Sequence, residues 1–212
     1  MIDPALFALY LAAAGAMILS PGPDTVYVLT RSIGDGRRTG LASAVGISLG
    51  VVVHTVAAVV GLAALFRASE LAFLAVTYLG AGYLVYLGVG TVRSDALRAD
   101  SIGDSTAADA DRSTRRNPVA EAVAVNVLNP QVALFFLAFL PQFVSGAWVE
   151  LQLLALGGTY AVLTAAYLGG VAATAGTLRT ALVTRPAIGV GVRWLSGLVL
   201  VALGLRLFLF GP

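Results

Sequence analysis

The sequence predicts an all-α membrane protein: six transmembrane helices arranged as two inverted three-helix repeats, with helices one and four broken. Three observations predict it. Of the 212 residues, 58% are hydrophobic and 11% charged, with a mean hydropathy of +0.91. A soluble domain carries roughly a quarter charged residues, so an ordinary fold in water is excluded. Six long apolar runs are divided three and three by one polar segment. The first run of each trio contains a proline-centred interruption, Ser20-Pro21-Gly22-Pro23-Asp24 and Leu128-Asn129-Pro130-Gln131.

Taken in order, the apolar runs place helices near 6–30, 39–66, 70–92, 118–144, 149–176 and 190–210, each near or above the about 20 residues that cross a bilayer. The amino terminus, MIDPALFALY, lacks the basic n-region of a cleaved signal peptide, so the first run is expected to stay in the mature chain. Gly46 and Gly50 on the second helix form a GxxxG pair suited to close helix packing. Ser69 and Glu70 read as a cap for the third helix. Arg93 to Asn117 combines low hydrophobicity with mixed charge and is expected to be a flexible linker. Tyr160 and Tyr167, two turns apart on the fifth helix, are expected to pack, with cavity lining the alternative. The whole reads as one transmembrane domain over 1–212, with repeat one at 6–92, the linker at 93–117 and repeat two at 118–210.

Arginine sets the orientation. Every basic residue is arginine, and eleven of the thirteen fall on connections one, three and five. They are Arg31, Arg37 and Arg38, then Arg93, Arg98, Arg112, Arg115 and Arg116, then Arg179, Arg185 and Arg193. The positive-inside rule places these connections in the cytoplasm and both termini outside, as expected for a multi-pass protein of the plasma membrane. Only Arg67 and Arg206 lie opposite, and Arg206 is near enough to its helix end to snorkel. Trp148 and Trp194 fall near span ends, where interfacial anchors belong.

Three spans per half is an odd number, so the halves must cross the membrane in opposite senses, as in inverted-repeat transporters. Setting Pro23 over Pro130 pairs Gly22 with Asn129, Asp24 with Gln131 and Gly50 with Gly157. At about 1.5 Å per residue, Asp24 lies roughly 10 Å from the cytoplasmic end of its span and Gln131 roughly 10 Å from the outer end of its own. Pro21 and Pro23 lack N–H donors and disfavour helix in the residue before them. Gly22 lets the chain turn between them. Main-chain groups freed this way are tolerated in lipid only where they face protein or a wet cavity. A half-helix starting near Pro23 aims its positive end at that cavity and suits a carboxylate. Carbonyls before the break suit an ammonium, and a small zwitterion carries both charges.

Asp24 is the main candidate for substrate binding and proton exchange, because a carboxylate at the bilayer centre costs about 2.5–3.5 kcal/mol on insertion scales. Capping of the second half-helix is its structural alternative. The substrate-binding set around the breaks is Pro21, Gly22, Pro23, Asp24, Asn126, Asn129, Pro130 and Gln131. His54 is a second proton-coupling candidate. Helical rise sets it some 12 Å from Asp24 along the membrane normal, so direct contact is not expected, and a hydrogen bond between helices is its alternative role. Gln131 stands where the first half has an acid, which concentrates charge in the first half.

Other classes of function find little in the chain. It has no cysteine and one histidine, which excludes disulfides, thiolate chemistry and multi-histidine metal sites. No Walker A sequence is present, and no cofactor is expected. A net charge of +2 without a basic stripe argues against nucleic acid. An intramembrane hydrolase built on Asp24 would need a second buried carboxylate, and Glu121 and Glu150 both lie near span ends. The expected partners are a small zwitterionic substrate, protons and the lipid bilayer, and the glycine-rich faces permit a homodimer.

Three stretches carry a family resemblance: SPGPDTVYVLTRSIGDGRRTGLASAVGISLGVVVH (Ser20 to His54), YLGAGYLVYLGVGTVRS (Tyr78 to Ser94) and NVLNPQVALFFLAFLPQFV (Asn126 to Val144). With these segments in this order, the chain resembles the LysE/RhtB family of bacterial and archaeal amino-acid exporters. The resemblance implies six helices and outward, proton-driven transport of amino acids or close derivatives. Another small metabolite or an ion carried on the same fold is the alternative. Family members often carry lysine after the Asn-Pro dipeptide. Gln131 departs from that pattern.

Overall fold

The computed structural model describes residues 3–20, 22–68, 70–93, 117–144, 148–184 and 186–210. These residues form helices and no strand. In chain order they are α1 (Pro4–Leu19), α2 (Pro23–Gly34), α3 (Arg37–Ala68), α4 (Glu70–Arg93), α5 (Pro118–Val127), α6 (Pro130–Leu134), α7 (Val149–Ala173), α8 (Ala175–Thr184) and α9 (Pro186–Phe210). α6 runs on through a π-helical turn at Phe135–Phe139 and a 3-10 turn at Leu140–Phe143.

Proline opens α1, α2, α5, α6 and α9, because at the first helical position its missing N–H has no partner to lose. Asp3 caps α1 by accepting from the Ala5 and Leu6 amides at 2.8 and 3.1 Å. Asn117 caps α5 through the Val119 amide at 3.0 Å. α2 stops where Gly36 takes a φ of +89°, a conformation that costs glycine little.

Among the described residues three helices are long and apolar enough to cross a membrane, and up to five spans result if each bent pair, α1–α2 and α5–α6, counts as one. Several expected boundaries need correction: the first helix runs on to Gly34 beyond its break, and the second spans Arg37–Ala68. The first helix starts at Pro4 and the last at Pro186, each opened by its proline. The fifth ends at Ala173, where Thr174 leaves helical geometry with a φ of −111°. A short helix, α8, then occupies part of what reads as a connection in the sequence. Its ten residues are too few to register as a span. The Ser69 cap and linker residues 94–116 lie outside the described residues.

Lipid tails are as apolar as leucine, so helices in a bilayer associate through close packing and polar contacts. Glycine makes that approach possible. A side chain at Gly46 would strike the Val119 carbonyl and the Ala122 methyl, and one at Gly50 would meet Asn126. α3 is thereby held against α5. α4 lies along α9 in the same way, Gly88 facing Gly197. One core gathers Tyr10, Phe135, Phe136, Phe139, Phe143 and Tyr160; a second holds Val28, Leu29, Ile47, Ala122, Leu168 and Val171. The opposite face of α3 leaves Val45, Leu49, Val52, Val53, Val56 and Val60 exposed, a continuous apolar stripe suited to acyl chains. Trp148, in a left-handed conformation, and Trp194 are both exposed.

Candidate functional site

Both proline interruptions break their helices. α1 ends at Leu19, Ser20 and Gly22 are extended, and α2 restarts at Pro23 bent by 49°. α5 ends at Val127, Asn129 is extended, and α6 restarts at Pro130, the pair bent by 52°. In each case the residue before proline sits in the extended region that the pyrrolidine ring imposes on it. Pro21 lies outside the described residues.

The two restarts face each other. Asn126 Nδ2 donates to Asp24 Oδ2 at 2.7 Å, and Asn129 Nδ2 donates to Asp24 Oδ1 at 3.1 Å. Asn129 also accepts from the Gln131 amide at 3.0 Å, so one side chain caps α6 and grips the carboxylate of α2. A side chain on Gly22 would press on Gln131 Oε1 at 3.0 Å. A carboxylate offers about four acceptor positions, so Asp24 keeps some free after both amides are bound.

His54 stands behind this pair. Its Nε2 lies 3.0 Å from the Asn126 carbonyl oxygen. A carbonyl only accepts, so Nε2 carries the proton and donates. His54 therefore bonds between helices α3 and α5 and is joined to Asp24 through Asn126. Among the described residues no hydrogen bond joins His54 to Asp24 directly, and Asn126 stands between them.

Met17, Ser20, Gly22, Asp24, Thr25, Asn129, Gln131, Tyr160, Thr164 and Tyr167 are among the residues that line a cavity at the breaks. Among the described lining residues, Asp24 alone is charged. About 30 Å³ is open to the centre of a water molecule, room for about two waters. Tyr160 does both things weighed for it: it lines the cavity and packs against Phe135 and Phe136, with ring centroids 5.3 Å away in each case. The aromatic layer continues through Phe139 and Phe143 to Tyr10, whose hydroxyl donates to the Leu156 carbonyl at 2.7 Å.

On the other side of Asp24 along α2, Arg31 is 8% exposed. It reads in the sequence as a topology signal. In the fold it donates to Asp35 at 2.7 Å and to Glu121 of α5 at 3.2 Å, with Tyr27 beneath the guanidinium. Positive-inside counting registers charge and not burial, so this pair between α2 and α5 escapes it. Thr164 also escapes notice, being one threonine in an apolar run.

Of the sequence-predicted residues, Gly22, Asp24, Asn129 and Gln131 come together on the cavity wall. Asn126 and His54 form the layer behind them. Pro23 and Pro130 set the helix starts.

A family model described as LysE type translocator matches residues 15–211. An uncharacterized membrane protein of Pseudomonas aeruginosa is 33% identical over 200 residues, covering 93% of this chain and 92% of that one. The homoserine/homoserine lactone efflux protein of Salmonella typhimurium is 35% identical over 167 residues, 78% of each chain. The uncharacterized membrane protein YrhP of Bacillus subtilis is 30% identical over 139 residues, 64% of this chain and 66% of that one. No solved structure matches the chain.

Proposed function

The chain belongs to the LysE type translocator family, and from that premise we propose that it is a secondary exporter of amino acids or close derivatives, working by proton-coupled antiport with alternating access. The observation that carries this reading is the single carboxylate of the cavity, Asp24 on α2, gripped by two asparagines from the other half of the chain. A zwitterion and a proton are alternative charges for such a site, and competition between them is the simplest form of exchange. The relative's name, homoserine/homoserine lactone efflux protein, supports export of a small amino acid or its derivative.

Six spans in two inverted repeats complete the proposal: α1–α2, α3 and α4, then α5–α6, α7 and α9. Support comes from the crossing contacts at the breaks. In the register that sets Pro23 over Pro130, the approach of Gly22 to Gln131 and the bond from Asn129 to Asp24 are images of one another. The arginine distribution supports a plasma-membrane orientation with both termini outside. Asp24 takes the proton-carrying role, and His54 the role of fixing Asn126. The translocator family gives the hydrolase alternative no support.

One proton moving down about 100 mV supplies about 2.3 kcal/mol. At about 1.4 kcal/mol per decade, this holds a roughly 40-fold substrate gradient in one-for-one exchange. The test is a competition efflux screen: proteoliposomes loaded with each common amino acid and L-homoserine, with and without an uncoupler. Uncoupler-sensitive efflux of a subset is expected. Efflux of none of them, or efflux indifferent to the proton gradient, contradicts the proposal.

A further inference from the structure

Four described helices open on proline behind a described N-cap residue. Asp3, Asn117 and Asn129 each turn a side-chain oxygen onto the first-turn amides of α1, α5 and α6. α2 is different. Its N-cap is Gly22, which has no side chain to offer, and its first turn has no side-chain cap. The first main-chain bond of the helix is from Val26 to the Gly22 carbonyl at 3.1 Å. The amides of Asp24 and Thr25, the two residues before Val26, are thus the donors that a helix start leaves over. Gly22, Asp24 and Thr25 all line the cavity.

A second observation points to the same place. Thr164 of α7 lines that cavity, is 4% exposed, and its hydroxyl has no hydrogen-bond partner. Several helical hydroxyls elsewhere, those of Ser32, Ser48, Thr55, Thr159 and Thr180, donate to the carbonyl four residues back; the buried hydroxyls of Thr30 and Ser43 lack a partner as Thr164 does, but they are not on the lining of this cavity. A buried hydroxyl without a partner is unfavourable, and one on a cavity wall can donate to a ligand that enters the cavity.

We propose that the uncapped start of α2 and the Thr164 hydroxyl form a carboxylate subsite, which takes the acid end of an α-amino acid and leaves its ammonium to Asp24. The inference rests on the exporter reading and deepens it by fixing which way round the substrate lies. It also breaks the apparent symmetry of the two breaks. At the α6 start Asn129 already caps the Gln131 amide, whereas no side chain caps the start of α2. An anion there gains from the helix dipole as well as from hydrogen bonds. The remaining acceptor positions of Asp24 then receive the ammonium, and the two ends of the zwitterion contact one turn of α2.

The test is binding to the full-length protein in lipid nanodiscs, using the common L-amino acids and L-homoserine. Each is paired with its methyl ester, and homoserine with its lactone, in which no free carboxylate remains. In the parent, the free acid is expected to bind about tenfold or more tightly than its ester, the worth of a charge-assisted hydrogen bond or two. Thr164→Val, which keeps the shape and removes the hydroxyl, should weaken the acid about tenfold while leaving the ester within about twofold. Thr164→Ser should restore the difference. A parent that binds acid and ester alike, or that binds neither, overturns the subsite. So does a Thr164→Val variant that loses both equally or keeps both. If acid-selective binding holds but no efflux follows in proteoliposomes, the exporter reading fails and the subsite stands.

Discussion

Asn126 on α5 donates its side-chain amide to the Asp24 carboxylate on α2 at 2.7 Å, across 102 residues of sequence. The carboxylate is therefore held by the opposite half of the chain and not by its own helix. Any movement that parts α2 from α5 removes this hydrogen bond from Asp24.

Replacing Asp24 with Asn removes the charge and keeps the size. Proton-driven efflux should fall to background while the protein still inserts and survives detergent extraction. Proteoliposomes of the variant exporting at the parent rate would remove Asp24 from the mechanism.

Asn129 has two duties, and two substitutions separate them. Asn129→Asp retains a good N-cap but sets a second carboxylate against Asp24 Oδ1, so it should fold and lose transport. Asn129→Ala loses both the cap and the amide bond, and should lower stability as well, by about 1–2 kcal/mol for the cap alone. Equal thermal stability of the two variants in detergent would contradict this division.

His54 separates a structural donor from a proton relay. His54→Gln can still donate to the Asn126 carbonyl but cannot titrate. Efflux should stay within about threefold of the parent with an unchanged pH profile, whereas His54→Phe should reduce it further, since the Asn126 carbonyl then keeps the Asn129 amide but loses its link to α3. A flattened pH profile in His54→Gln would return the relay role to this residue.

Arg31 should behave as the centre of a network. Glu121→Ala leaves Asp35 in place and should cost about 1 kcal/mol. Removing Asp35 and Glu121 together strands a buried guanidinium and should cost about 3–5 kcal/mol, well beyond the sum of the single changes. Melting temperatures of the three variants in one detergent decide it, and additive losses would show that the two acids act independently.

Gly50 and Gly61 lie on the same helix with opposite surroundings. A methyl group at Gly50 meets Asn126, and one at Gly61 meets nothing within 4 Å. Gly50→Ala should destabilise by about 1–3 kcal/mol and impair efflux by shifting Asn126 from Asp24. Gly61→Ala should be neutral or stabilising by up to about 1 kcal/mol. Equal effects in a thermal melt would mean that the α3–α5 contact does not position the site.

Much of this was written in local chemistry. Apolar runs longer than any soluble helix needs specify helices in lipid. Pro23 and Pro130 specify where two of them break, since an imide nitrogen cannot donate whatever surrounds it. Asp24 stood out because a carboxylate in an apolar run is too costly to be incidental. These are properties of a residue and its chain neighbours, and a sequence states them directly. Hydrogen-bond partners are a different matter, because they depend on which distant segments meet within about 3 Å. Only the packed helices decided that Asn126 and Asn129 would hold Asp24, that Arg31 would be buried against Glu121, and that Thr164 would line the same cavity as the start of α2.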